Sequence, residues 1–197
     1  MQQQFRRTIS GTTLALVALV ASACGDSATA PGGESEVISR VTLSVTPQAG
    51  GTAQVVFIDD PDGNGPTAPS AQNGTLTLVS GTTYTGTVKF ENRLKSPAED
   101  ITLEVEEEAE EHQVYYVISG TATTVTVTDT DGASRPLGLT YTITPGATAG
   151  PGTVRVVLCH YGDVAKPASG AACVGDTDID LTFNFTVTAP AVVRAEN

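Results

Sequence analysis

Apolar and polar residues alternate with a period of two along most of the chain, in short runs broken by Gly, Pro, Asn and Asp. The pattern predicts strands near 37–45, 53–58, 74–79, 84–91, 114–119, 123–128, 139–144, 153–159 and 179–188. The last is the clearest. Ile179, Leu181, Phe183, Phe185 and Val187 point one way, and Asp180, Thr182, Asn184 and Thr186 the other. DPDGNGP at 60–66 and DTDGASRPLG at 129–138 are turn sequences. Many short strands joined by such turns predict a mainly β chain, an antiparallel Ig-like β-sandwich. Without repeated strand–helix alternation, a doubly wound α/β fold is disfavoured.

One segment departs from the pattern. Ser96-Pro97-Ala98-Glu99 reads as a helix start, with Ser as N-cap, Pro at the first helical position and Glu closing a capping box. A short acidic crossover helix over about 97–111 follows, with Ile101, Val105 and Ala109 as its apolar stripe. Ile101, Leu103 and Val105 also alternate like a strand. The run EEEAEE favours the helix, because acidic residues are depleted in strands.

Composition changes the picture at the N-terminus. Arg6 and Arg7 precede an apolar core over 14–20 that is too short for a permanent membrane helix. Ala21, Ser22 and Ala23 then lead into Cys24. This resembles a bacterial lipoprotein signal whose Cys24 is lipidated, although Ala21 stands where Leu is commonest. The competing reading is an ordinary secretory signal cleaved near Ala23, with Cys24 left free. The organisation expected is a signal peptide over 1–23, a flexible polar tether over 24–36, a sandwich domain over 37–188 and a tail over 189–197. Gly25, rather than Asp, follows the cysteine. By resemblance to Gram-negative lipoproteins, that points to the cell envelope, with the outer membrane favoured over the inner.

With Cys24 lipidated, Cys159 and Cys173 remain as an even pair in an exported chain, and a disulfide is expected between them. The formal net charge is −12, and it becomes more negative once Arg6 and Arg7 leave with the signal. Such a chain is unsuited to nucleic acid or anionic lipid heads. Cations and basic protein partners are the compatible ligands. No G-x-S-x-G, P-loop or G-x-G-x-x-G pattern is present, and paired carboxylates single out nothing in so acidic a chain. An enzyme is not expected.

The candidate chemistry lies around the only two histidines. On a helix, His112 falls about 20° from Ile101, inside the apolar stripe, with Glu108 one turn before it. The neighbouring glutamates fall largely on the solvent side. In TVRVVLCHY, His160 shares parity with Val154, Val156 and Leu158, so it continues an apolar face. Glu108, His112 and His160 are therefore candidate ligands for Zn or Cu, which accept imidazole and carboxylate. The alternative is that each is a boundary histidine hydrogen-bonded to Tyr115, Tyr116, Tyr161 or a Glu. Asp60, Asp62 and Asn64 match the first half of a Ca loop. Ala71, however, occupies the position of its bidentate acid, and the stretch also reads as a hairpin turn. Asp176, Thr177 and Asp178 read as a turn before the last strand.

The lipobox, the DPDGNG loop, TYTGTVKFEN, the PAEDI…EEEAEEHQVYY block, the DTDG turn with PLGLT and the closing TDIDLTFNFTV together resemble a family of small Gram-negative envelope lipoproteins. The resemblance covers about residues 37–188, and Glu106–Tyr116 is its most specific part. Such sequences are often labelled as a type 1 periplasmic-binding fold, which the β periodicity here contradicts. The resemblance implies an envelope binding protein, accessory to outer-membrane uptake of a metal or small solute through a transporter. The alternative is a structural or interaction module whose acidic helix docks a basic partner.

Overall fold

The computed structural model describes residues 36–63, 65–169 and 172–191. The strands are β1 (Arg40–Pro47), β2 (Gln54–Asp59), β3 (Leu76–Val79), β4 (Tyr84–Asn92), β5 (Glu99–Asp100), β6 (His112–Ser119), β7 (Thr123–Val127), β8 (Thr140–Pro145), β9 (Gly150–His160) and β10 (Asp176–Thr188). A single helix among the described residues, α1 (Ile101–Glu107), sits between β5 and β6. One sheet runs β2-β1-β4-β8-β7, with β5 paired to β4; the other runs β3-β10-β9-β6. Together they form a β-sandwich. Repeated strand–helix alternation is absent among the described residues, so the fold follows the periodicity and not the family label.

Alternation builds the core. Val41, Leu43 and Val45 of β1, Val88 and Phe90 of β4, Tyr141 and Ile143 of β8, and Phe183, Phe185 and Val187 of β10 all lie in one buried cluster. Each side chain of this size contributes roughly 1.5–3 kcal/mol on burial. Glycine opens room for two aromatic rings. Gly86 faces Tyr141 across β4 and β8, and Gly152 faces Phe185 across β9 and β10; a Cβ at either glycine would run into the ring.

Two local expectations are corrected. The sandwich is not wholly antiparallel, since β3 crosses from the first sheet to the second and pairs in parallel with β10. Gln54 ties that crossing down, donating to the Thr77 carbonyl at 2.6 Å and accepting from the Thr77 N–H at 2.8 Å. The helix is also shorter than 97–111. Residues 99 and 100 are extended and pair with Asn92 and Glu91, and Glu99 is held by Lys95 at 2.6 Å, not by a capping box. Asp100 is the N-cap, accepting from the Thr102 N–H at 3.2 Å. The Thr102 hydroxyl then bridges the Phe90 N–H and carbonyl, which pins α1 to β4. The expected stripe is right in kind: Ile101 and Val105 are buried and Ala109 packs beside them. The helix ends at Glu107 because its last turn carries no basic residue. Further Glu residues there oppose the negative end of the helix dipole.

Cys159 and Cys173 form the expected disulfide. It lies outside the main core in a small buried cluster with Tyr115, Val157 and Tyr161, where the two tyrosine hydroxyls hydrogen-bond each other. The signal, Cys24 and most of the tether and tail lie outside the described residues. Of the expected tether only Glu36 is described. It is buried and belongs to the folded domain.

Candidate metal centre

The Glu-rich run stops in time for His112 to open β6. In the β6–β9 ladder His112 pairs with His160, and the Tyr161 N–H donating to the Glu111 carbonyl at 2.7 Å carries the pairing one step further. His112 shares a face with Val114, and His160 with Val156 and Leu158, so both imidazoles point between the sheets. Directly opposed residues on one face of an antiparallel pair touch. Here the ring centroids are 4.6 Å apart and nearly parallel. His112 is fully buried and His160 is 5% exposed.

Two carboxylates complete the group. In β10, Thr177 pairs with Cys159 and Ile179 with Leu158, leaving Asp178 as the extra residue of a β-bulge. A bulge re-aims a side chain. Strict alternation would place Asp178 outside with Asp180, whereas the bulge buries it beside Ile179. Glu36 arrives from the segment entering β1, anchored by buried Ile38 and Ser39. One donor atom from each of Glu36, His112, His160 and Asp178 lies within 4.8 Å of all the others.

The expected site is corrected accordingly. His112 and His160 are brought together, but His112 reaches the interior from a strand, not from a helix. The Glu108 side chain is exposed and outside the group; Glu108 contributes its backbone carbonyl, 3.2 Å from His112 Nδ1. Asp178 is a strand residue rather than part of a turn. The tyrosines named as histidine partners are engaged elsewhere: Tyr115 and Tyr161 bond each other, and Tyr116 donates to the Gly138 carbonyl.

The hydrogen bonds constrain the protonation of the group. His112 Nδ1 faces a carbonyl, and Nε2 faces Glu36 Oε1 at 3.0 Å. Both are acceptors when Glu36 is ionised, and the ring between them is then an imidazolium paired to a carboxylate. Burial alone would pull the His112 pKa down, but the Glu36 hydrogen bond and charge outweigh it and raise it. Burial pushes Glu36 up, and His112 more than reverses that. The same geometry suits a metal ligand. With Nδ1–H held by the Glu108 carbonyl, Nε2 keeps a lone pair for a cation, the usual second-layer arrangement for histidine ligands. His160 Nε2 is buried and no hydrogen bond reaches it, which costs about 1–3 kcal/mol, while Glu36 shares a side-chain hydrogen bond with Asp178.

Two carboxylates and two neutral imidazoles match the charge of a divalent cation. Tetrahedral zinc with ligands near 2.0–2.1 Å needs donors about 3.4 Å apart, and those of the group lie within 4.8 Å of one another. All four residues of the group are buried, so it is closed off from solvent.

Asp60 and Asp62 are used locally. Asp60 Oδ1 accepts from the N–H groups of Asp62 and Gly63, and Asp62 Oδ2 from that of Thr67. That is turn chemistry. Asn64 lies outside the described residues. Among the described residues, the one group with metal-ligand geometry is that of Glu36, His112, His160 and Asp178.

The DTDG turn holds a feature that its sequence signal did not reveal. Asp131 accepts from the backbone N–H of Ala133 and Arg135, from Arg135 Nε at 2.8 Å, and faces Lys166 Nζ at 3.1 Å. Lys166 also donates to the Ala109 carbonyl at 2.8 Å, tying the turn to the chain beyond α1. Beside it lies an open cleft of about 550 Å³, lined among others by Thr102, Glu106, Asp129 and Thr140.

No protein-family model, curated protein or solved structure matches the chain.

Proposed function

We propose that the protein is a lipid-anchored envelope binding protein that holds a first-row divalent metal ion, zinc in the first instance, between Glu36, His112, His160 and Asp178. The observation that carries this reading is the convergence of four buried donors from four separate segments. A solvated acidic face does not bury two carboxylates against two stacked imidazoles. Isolated buried charges are costly unless paired or bound to metal. The anchoring half rests on the lipobox ending at Cys24 and on the resemblance to envelope lipoproteins. That resemblance also suggests work beside an outer-membrane transporter.

Elemental analysis tests the metal. The protein purified without chelator should carry close to one zinc per chain, and His112→Ala should carry far less. Copper in place of zinc would keep the site and change the ion. No metal, and none retained after adding zinc, would favour the rival reading, an interaction module whose exposed Glu106, Glu107, Glu108, Glu110 and Glu111 dock a basic partner.

Anchoring is tested separately. Cys24→Ser should move the protein from the membrane fraction to the soluble fraction. Retention in the membrane fraction would place the anchor elsewhere.

A further inference from the structure

The centre is closed, so an ion must reach it past a side chain that moves. Glu111 is the last residue before β6, and its side chain is 53% exposed. Its Oε2 stands 3.7 Å from His160 Nε2, too far for a hydrogen bond and close enough for attraction. His160 Nε2 is itself buried and receives no hydrogen bond. Glu111 also lines a hollow of about 470 Å³ whose other walls are Glu106, Glu107, Glu108, Ala109, Glu110 and Gly132. One carboxylate therefore borders both an acidic hollow open to solvent and a nitrogen of the buried group that no hydrogen bond reaches. Arg135 reaches only the Glu110 wall, at 3.6 Å.

We propose that this hollow is the cation inlet of the centre and that Glu111 is its transfer residue. The proposal rests on the zinc reading above and adds the path by which the ion arrives. Clustered carboxylates concentrate a hydrated divalent cation and raise its association rate. Glu111 exchanges part of the ion's water for its carboxylate and passes it to His160, and from there to the three ligands behind. The same exchange run backwards is the exit. Glu111 is not one of the four resident ligands, so it governs rates and leaves the equilibrium capacity alone. The Glu-rich run thereby has two parts: a wet hollow and one glutamate that bridges it to the interior.

The test is stopped-flow transfer of Zn²⁺ from a fluorescent indicator to the metal-stripped protein. Glu111→Gln should slow association roughly 10-fold and slow release to a similar extent, with zinc content at saturation unchanged. Glu111→Asp keeps the charge and should sit nearer the wild type. A Glu106→Gln, Glu107→Gln double variant should flatten the salt dependence of association. The variants alter exposed side chains, and an unchanged melting temperature shows that they remain folded. Wild-type rates in Glu111→Gln would overturn the inlet. So would loss of zinc stoichiometry, because Glu111 would then be a fifth ligand. A wild type that takes up no zinc would sink the zinc reading itself and the inlet with it, which is a different result from zinc bound at unaltered rates.

Discussion

Zinc at 100 times its dissociation constant should stabilise the protein by about 2.7 kcal/mol, because it binds the folded chain and not the unfolded one. For a domain of this size that is a rise in melting temperature of roughly 5–10 °C. The unfolded chain cannot compete, since the four donors sit at positions 36, 112, 160 and 178 and meet only in the sandwich. Asp178→Asn and His160→Ala should each remove most of the shift. Their cost without metal should differ. Asp178→Asn keeps the shape of the bulged side chain, whereas His160→Ala also removes the ring stacked on His112. Differential scanning calorimetry with and without zinc separates the two effects. A full zinc shift persisting in both variants would show that the ion binds elsewhere.

Asp131→Ala should cost about 3–5 kcal/mol, the range for removing one partner of a buried ion pair. Neither the Asp131 nor the Lys166 side chain has any exposure. Without Asp131, the Lys166 ammonium is left with the Ala109 carbonyl, and two backbone N–H groups of the turn lose their shared acceptor. Burial pulls the Lys166 pKa down even with Asp131 present, so a lysine deprived of its anion is poorly accommodated. Lys166→Met should cost less, because Asp131 keeps Arg135 and both backbone N–H groups. The pH dependence follows from Asp131 itself. Burial would raise its pKa, but the Arg135 N–H, the Lys166 ammonium and the Arg135 guanidinium bring it down to about 2. A carboxyl with a lowered folded-state pKa stabilises above its unfolded value. The contribution is therefore complete above about pH 5 and is lost as pH falls from there through 2. Urea denaturation at pH 7 and at pH 2.5 reads both effects. Asp131→Ala should lose much less stability between those two pH values than the wild type does, and equal losses would refute the assignment.

The strands were legible because each needs only local information. A half-buried strand shows its two faces in alternate residues, and β10 displays five apolar residues in register. Where alternation breaks, legibility breaks with it. The bulge at Asp178 needs the pairing of β10 with β9 to exist at all. The sequence around it, GDTDID, alternates no differently from the stretch that follows. Glu36 gave no signal, because it stands in a small polar stretch and is buried only by what folds over it. His112 was read as inward for a helical reason and is inward for a β reason. Both periods happen to bring position 112 to the apolar side.

From its sequence alone, this chain has its strands, its turns, its cysteine pair and the acidic character of the segment before His112. These follow from short-range period, from turn residues and from the parity of two cysteines in a chain expected to be exported. The tertiary structure alone decides that His112 meets His160, that a bulge turns Asp178 inward, that Glu36 joins the domain, and that Glu108 offers a carbonyl while the Glu111 carboxylate stands 3.7 Å from His160. Those are relations between segments far apart in the chain. They are set by strand register and by the cost of leaving buried polar atoms unpaired, and neither quantity exists until the sheets have formed.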